Sequence, residues 1–411
     1  MKKVLGITLG IMTALGGFVD LGQIVFTTQA GALFGYRLLW AIVLGTLAIV
    51  VYMEMCGRVA VVAHKPVFAI VRDRLGMPLG LATLVASNLL NLLTCAAELG
   101  GLAIVIHLLT GWPEKIVLIG VGLFLPLLVH ASKFQWIERT FGLSGLLMAV
   151  FAISAVVLRP DWSALVEGLN PYIHLTGRHQ VLLYAYFAVG IFSAMLMEYE
   201  VHFYSSGALE EGWKVKDLSE NFMVASLGSI LGSFLTIALL VLGALVFLPR
   251  HIFPEQLSSA LVAGAWPFGQ KVLLLACVGT LACIGGAAIE TALSGAYNLC
   301  QFFNWPWGKN LPPKSAKIYT LTWAGMFLLA LLIVLLGVQP LQLVNISIIF
   351  GMAIMPFTYY PILRVASDKR IMGEHVNAHF NTLVGVAFLV LIVIAAAVSI
   401  PLMVLTHSGQ P

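Results

Sequence analysis

Residues 4–32 read VLGITLGIMTALGGFVDLGQIVFTTQAGA, an apolar stretch in which Asp20 is the single charged residue. As a helix, this stretch is long enough to cross about 30 Å of hydrocarbon. A carboxylate at the middle of a bilayer costs at least about 2.5–3.5 kcal/mol, so Asp20 is expected to face a cavity or a partner. Gly22 lowers the cost of unwinding. Residues 20–23 therefore predict a discontinuous helix whose freed carbonyls and Asp20 coordinate a cation; the alternative is an Asp20 that pairs with another helix.

The whole chain has the composition of a membrane protein. Of its 411 residues 60% are hydrophobic and only 10% are charged, and the mean hydropathy is +0.99, whereas a soluble protein carries about 25% charged residues. The apolar runs are solid rather than alternating, which predicts helices. We expect an all-α polytopic membrane protein with about eleven transmembrane helices, near residues 4–32, 37–57, 79–109, 115–131, 140–158, 180–206, 222–249, 271–302, 316–337, 340–363 and 381–405.

The distribution of positive charge predicts an orientation in the inner (cell) membrane. With a cytoplasmic N-terminus, 16 of the 22 Lys and Arg residues fall on the cytoplasmic side. The positive-inside rule therefore predicts an N-terminus inside and a C-terminus outside. The first run shows no small-residue cleavage site, so a retained span is expected rather than a signal peptide. The expected partners are the lipid bilayer and a small cation, with no nucleic acid and no obligate protein partner.

Span 6 contains a second polar interruption. Glu198, Glu200 and His202 fall within five residues of an otherwise apolar segment, Ser193–Ala194–Met195–Leu196–Met197–Glu198–Tyr199–Glu200–Val201–His202. Such groups are rare in lipid and mark substrate or ion pathways. If the helix continued without a break, Glu198 and His202 would lie on one face at i, i+4 and could pair with each other.

The two interruptions are five spans apart, which predicts an inverted 5+5 repeat. An odd number of spans per half inverts the second half, and secondary transporters of this type bind substrate between broken helices. We expect a single transporter domain over 1–411, with repeats at 1–158 and 180–363 and an extra helix at 381–405. Glu98 in span 3 is a candidate proton or ion relay; a structural hydrogen bond to a neighbouring helix explains it equally well.

Two neighbouring segments at the start of the chain form a recognisable pattern: residues 20–23 (Asp–Leu–Gly–Gln) and 29–40 (QAGALFGYRLLW). Together they resemble the first-helix signature of the Nramp family of divalent-metal transporters, Asp–Pro–Gly–Asn followed by Ala–Gly–Ala–x–Phe–Gly–Tyr–x–Leu–Leu–Trp. Weaker similarities extend through the chain, at residues 97–100 (AELG), 159–162 (RPDW), 339–343 (QPLQL), 355–357 (MPF) and 367–373 (SDKRIMG).

This resemblance implies a leucine-transporter-like bundle that carries manganese or iron together with protons. The family's metal ligands fall here on Asp20, Gln23, the carbonyl of Ala194 and the thioether of Met197. A thioether favours soft transition metals over magnesium or calcium. The metal is a substrate, and no resident cofactor is expected.

Departures from the family pattern alter the expected coupling. Gln23 replaces an Asn, and Leu21 replaces a Pro. The family's Met–Pro–His is Met197–Glu198–Tyr199 here, and Glu200 stands in place of an Asn. Glu198, Tyr199 and Glu200 are therefore candidate additional ligands. Glu98 and His202 are candidate proton or ion relays. Cys95 stands where the family has an Asp, and span 9 contains no arginine like the one in the family's proton route. The unperturbed pKa values of Tyr and Cys are about 10 and about 8.5, which predicts weakened proton coupling.

Two alternatives remain open from the sequence. The extra carboxylates also suit a related carrier for magnesium or a small organic solute, because hard cations favour oxygen ligands. An intramembrane serine protease is a remote alternative, based on Ser144 in Gly–Leu–Ser–Gly. We find no histidine at a convincing membrane depth to act as its base. A transporter, not an enzyme, is therefore predicted.

Overall fold

The computed structural model describes residues 19–172, 175 and 177–410, apart from the side chain of Glu138, and every regular element within them is helical. The first half comprises α1 (Leu21–Phe34), α2 (Leu39–Ala63), α3 (Val67–Thr110), α4 (Glu114–Ala131), α5 (Phe134–Gly145), α6 (Ala149–Val157) and α7 (Trp162–Glu167). The second half comprises α8 (Arg178–Ala194), α9 (Glu198–Glu210), α10 (Leu218–Leu242), α11 (Leu257–Ala265), α12 (Gln270–Phe303), α13 (Lys317–Leu335), α14 (Pro340–Ala366), α15 (Lys369–Met372) and α16 (His379–Leu405).

In the described part of the chain, ten helical segments are long and apolar enough to cross a membrane. Three of them are composite. Helices α5 and α6 join through a 3₁₀ turn at Leu146–Met148, and α8 and α9 follow each other across a break. Helix α10 continues through short helical turns as far as Arg250. These ten segments coincide with predicted spans 2–11, which confirms the all-helical polytopic prediction. Of the first predicted span, the structure contains α1 and the two residues before it, and residues 4–18 lie outside the described residues.

The long helices differ in how much of their surface other helices cover. The broken pair α8–α9 and helix α10 are the most buried spans, and α3 packs along both α12 and α14. Helices α4 and α16 are the least buried. Their outer faces carry exposed apolar side chains, including Phe124, Leu127, Phe380 and Leu383. Such faces suit lipid, so α4 and α16 form the periphery and the broken pair α8–α9 lies near the centre with α10.

Helix α3 begins earlier than the predicted span at 79–109. Its first turns, from Val67, precede a sharp kink at Gly76, where φ is 75° and ψ is 174°. Only glycine adopts this conformation without steric cost. Arg72 and Arg74 lie just before the kink and bind the ends of two other helices: Arg72 donates to the Phe302 carbonyl oxygen at 2.7 Å, and Arg74 pairs with Asp368 at 3.3 Å. The charged segment 67–75 therefore folds as a helical arm attached to the end of the span.

Helices α1 and α10 cross in close backbone contact. A Cβ atom on Gly31 would lie 2.1 Å from the Leu240 carbonyl oxygen, and one on Gly243 would lie 2.2 Å from the Thr28 carbonyl oxygen. Gly243 also begins a π-helical turn, Gly243–Phe247, that continues α10. Small residues allow membrane helices to approach this closely. The crossing fixes α1, and with it Asp20, against the second half of the chain.

Candidate functional site

Asp20 caps the N-terminus of α1 and is buried. Its backbone is extended, its Oδ1 accepts a hydrogen bond from the Gln23 backbone N–H at 2.7 Å, and its Oδ2 accepts one from the Tyr199 hydroxyl at 3.1 Å. Exposed helical N–H groups and the helix dipole stabilise a carboxylate at this position. Asp20 is thus held at a helix end, where the first-turn N–H group and the helix dipole offset part of the cost of burying a charge.

The expected unwinding at Leu21–Gln23 is wrong. These residues form the first turn of α1, because the Asp20 side chain supplies the hydrogen bond that starts a helix there. Gly22 serves packing instead: a Cβ atom at this position would lie 3.1 Å from both Asp20 Oδ1 and Ile348 Cδ1. Among the described residues, only Val19 and Asp20 precede α1, so the predicted discontinuity of span 1 lies partly outside the described residues.

The predicted break in span 6 is present at residues 195–197. Helix α8 ends at Ala194, and α9 begins at Glu198 with Met197 as its N-cap residue. The segment contains neither Gly nor Pro, and helix α14 holds it in place: the Tyr359 hydroxyl donates to the Leu196 carbonyl oxygen at 2.8 Å, and the Ser193 hydroxyl donates to the Ile348 carbonyl oxygen at 2.5 Å. Carbonyl groups at the end of α8 are left without helical N–H partners and can bind a cation.

Gln23 connects the start of α1 with the break in span 6. Its Nε2 donates to the carbonyl oxygen of Ala194 at 2.9 Å, across 171 residues of sequence. Its Oε1 is buried and has no hydrogen-bond partner among the described residues. The structure therefore brings three of the four predicted ligands, Asp20, Gln23 and Ala194, into one hydrogen-bonded group. Met197 is buried at the start of α9, three residues beyond Ala194.

Further carboxyl groups surround this group. The Leu21 N–H points at Glu98, 3.1 Å from Oε1 and 3.3 Å from Oε2. Tyr199 interacts electrostatically with Asp20, Glu98, Glu200 and Glu290. The described residues provide no ion-pair partner for any of these four acids. Glu290, in α12, is like Glu98 a candidate relay because of its position in an apolar span, but its sequence position gives no sign of proximity to Tyr199.

Glu198 and His202 do not pair with each other. The Thr358 hydroxyl lies 3.3 Å from Glu198 Oε2, while Oε1 has no partner among the described residues. The His202 ring packs edge-on against Phe68, 4.9 Å between centroids, and neither of its nitrogens has a partner in the described chain. The pairing that the i, i+4 spacing allows is therefore absent.

The candidate ligand set combines one carboxylate, one amide side chain, one backbone carbonyl and one thioether. Within the described residues, no three His, Cys, Asp or Glu side chains are grouped as in a resident metal centre. Cys95, which replaces the family's Asp, donates its Sγ–H to the Ala288 carbonyl oxygen at 3.6 Å. Such a set would offer a divalent cation both hard oxygen ligands and one soft sulfur ligand.

Comparison with known proteins gives a consistent result. The sequence model of the family described as natural resistance-associated macrophage protein-like (Nramp) matches residues 10–401. The divalent metal cation transporter MntH of Bacillus subtilis (strain 168) is 24% identical over 391 residues, covering 92% of this chain and 87% of the relative. MntH of Agrobacterium fabrum is 25% identical over 411 residues, covering 94% and 84%.

Solved structures show the same fold. A crystal structure of a variant of the Eremococcus coleocola manganese transporter has a TM-score of 0.74 at 18% identity, with 98% of this chain and 93% of that chain covered. Mhp1, a nucleobase-cation-symport-1 family transporter, has a TM-score of 0.58 at 14% identity, with 99% and 93% covered. The fold is therefore that of the leucine-transporter-like bundles, as the resemblance predicted.

Proposed function

Because this chain belongs to the Nramp family of membrane transporters, we propose that it carries a divalent metal cation of the manganese or iron type across the membrane. The proposed ligands are Asp20, Gln23, the carbonyl of Ala194 and the thioether of Met197. The observation that carries the proposal is the 2.9 Å hydrogen bond between Gln23 and Ala194, which links the start of α1 to the break in span 6. Both curated relatives reported above are named divalent metal cation transporters.

The proposed chemistry is replacement of a hydration shell. Asp20 supplies one negative charge, and the end of α8 presents carbonyl oxygens at the negative pole of a helix dipole. Tyr199 holds the carboxylate of Asp20 in place by its hydroxyl. A sulfur ligand from Met197 adds preference for transition metals over magnesium.

The proposal includes the arrangement of the chain in the membrane. The N-terminus is placed in the cytoplasm and the C-terminus outside, following the positive-charge distribution. Residues 1–158 and 180–363 form the two inverted repeats, and α16 is the additional helix. Alternating access then opens the site between the repeats to one side of the membrane at a time.

We expect transport of manganese with little accompanying proton flux. Tyr199 and Cys95 occupy the positions of the family's titrating residues. Each donates its only side-chain proton to a hydrogen bond: Tyr199 to Asp20, and Cys95 to the Ala288 carbonyl oxygen. The test is uptake of manganese, magnesium and calcium into liposomes containing the purified protein, with the internal pH recorded. Acidification that tracks manganese flux and disappears in Glu200→Gln or Glu98→Gln would contradict weak coupling. Failure to take up any of the three cations would overturn the proposed function.

Met197 is expected to set selectivity. Met197→Leu keeps the side-chain volume but removes the sulfur, so manganese uptake relative to magnesium should fall about tenfold, the factor that corresponds to about 1.4 kcal/mol. Met195→Leu is the matched control, because Met195 is equally buried in the same break but packs against Gly45. An unchanged manganese-to-magnesium ratio in Met197→Leu would exclude the thioether as a ligand.

A further inference from the structure

Glu198 lies on the opposite side of α9 from the acids around Asp20. Residues i and i+2 of an α-helix point about 200° apart. Glu200 interacts electrostatically with Asp20 and Glu290, whereas Glu198 faces α3 and α14 through Ser87 and Thr358. Glu198 is fully buried. The two glutamates that open α9 therefore belong to different surroundings.

Few hydrogen bonds and no ion pair from the described residues offset the cost of burying the Glu198 carboxyl group. Thr358 has one hydroxyl proton, and its oxygen lies 3.0 Å from the Met355 carbonyl oxygen and 3.3 Å from Glu198 Oε2, so it can satisfy only one of them. Ser87 lies beside the Glu198 carboxyl group but completes no hydrogen bond of normal geometry. No described basic side chain pairs with Glu198. If Glu198 is ionised in this state, it requires a further positive partner.

Asn91 is an independent sign of a ligand at this place. It lies one turn beyond Ser87 on the same face of α3, and it is fully buried. Neither its Oδ1 nor its Nδ2 has a partner among the described residues. A protonated Glu198 could donate to Ser87 but would leave both polar atoms of Asn91 unsatisfied, and buried polar groups are nearly always satisfied by protein, water or an ion. A hydrated cation would satisfy all of them.

We propose that Glu198, Ser87, Asn91 and Thr358 form a second cation site, between α3, α9 and α14, that binds an alkali metal ion such as sodium. All four side chains offer oxygen ligands, which hard cations prefer. A single carboxylate balances a single positive charge, whereas a divalent ion would leave one charge uncompensated in a low-dielectric interior. The polar face of α3 continues through Thr94 to Glu98, about 16 Å from Ser87 along the helix, and so connects this site with the backbone of Leu21.

The test measures binding of sodium itself, in detergent, with divalent metals chelated. Saturable binding of radioactive sodium at one ion per chain is expected, together with a rise in Tm of at least about 3 °C when sodium chloride replaces choline chloride at constant ionic strength. Glu198→Gln and Asn91→Leu should lose both effects. Thr83→Val should keep them, because Thr83 is a buried threonine of the same helix whose hydroxyl is satisfied by the Leu79 carbonyl oxygen.

The result is independent of divalent-metal transport. Asp20→Asn should lose manganese uptake and keep sodium binding; loss of sodium binding in Asp20→Asn would put sodium in the proposed metal site and overturn the second site. The absence of saturable sodium binding in the unaltered protein would also overturn it, as would stabilisation by acid without any response to sodium. Sodium binding that survives in folded Glu198→Gln would remove Glu198 from the site.

Discussion

Replacement of Asp20 by Ala is expected to reduce divalent-metal uptake to the background of empty liposomes, a fall of more than about a hundredfold. Asp20 is the single carboxylate in the proposed ligand set, and loss of a buried charged partner costs at least about 3 kcal/mol in binding. The variant also loses a helix cap, worth about 1 kcal/mol, so Asp20→Asn, which retains capping ability, accompanies it. Uptake of radioactive manganese and Tm are measured for both variants.

Asp161 provides the matched control for this experiment. It caps α7 in the same way, its Oδ1 accepting from the Ser163 and Ala164 backbone N–H groups, but it lies in an exposed loop. Asp161→Ala should leave uptake within about twofold of the unaltered protein. Full manganese uptake by a folded Asp20→Ala protein would show that the cation takes another route.

Replacement of Gly31 by Ala is expected to have the largest effect on stability. The added Cβ would lie 2.1 Å from the Leu240 carbonyl oxygen, a backbone atom that can move only if α1 and α10 separate. We expect a loss of about 3 kcal/mol or more in the free energy of unfolding, or failure to accumulate folded protein. Gly243→Ala, whose Cβ would meet the Thr28 carbonyl oxygen at 2.2 Å, should behave in the same way.

Gly120 and Gly325 are the controls for the glycine substitutions. Both lie within helices and have open space where a Cβ would be placed. Gly120→Ala and Gly325→Ala should therefore be neutral or stabilising by up to about 1 kcal/mol. Thermal unfolding in detergent and the yield of monodisperse protein measure all four variants. Equal stability of Gly31→Ala and Gly120→Ala would show that the α1–α10 crossing is less tight than described.

The sequence predicted the membrane spans because solid apolar runs have few alternative structures in lipid. It located the break in span 6 within residues 193–202, since two glutamates and a histidine there are costly in an unbroken lipid-facing helix. It could not place the break at 195–197, because two hydrogen bonds to α14 fix that position. Tyr359 donates to the Leu196 carbonyl oxygen, and Ser193 donates to the Ile348 carbonyl oxygen, in each case across more than 150 residues of sequence.

Other differences between the sequence predictions and the structure also arise from contacts between residues that are far apart in the sequence. From the sequence alone, Gly22 is a candidate helix breaker. In the structure, the Asp20 cap starts a helix before it and Ile348 packs closely against it, so Gly22 is a helical packing residue. The spacing of Glu198 and His202 predicts a pair only if nothing else competes for them, and α3 and α14 separate their surroundings. The proximity of Glu290 to Tyr199 depends on how α9 and α12 pack, which no local pattern encodes.

At the proposed site, the Gln23 side-chain N–H competes with the cation for the carbonyl oxygen of Ala194. The positive end of the Gln23 N–H dipole points at the carbonyl oxygen that an incoming cation would approach. An asparagine in place of Gln23 would have an arm one methylene shorter. Entry of a cation then requires the amide to turn and present its unpartnered Oε1 instead. Breaking one such bond costs about 1 kcal/mol, which weakens affinity roughly fivefold. Weaker binding also shortens the residence time of the cation, so at the proposed site the longer side chain of Gln23 would lower the affinity and speed the release of the metal.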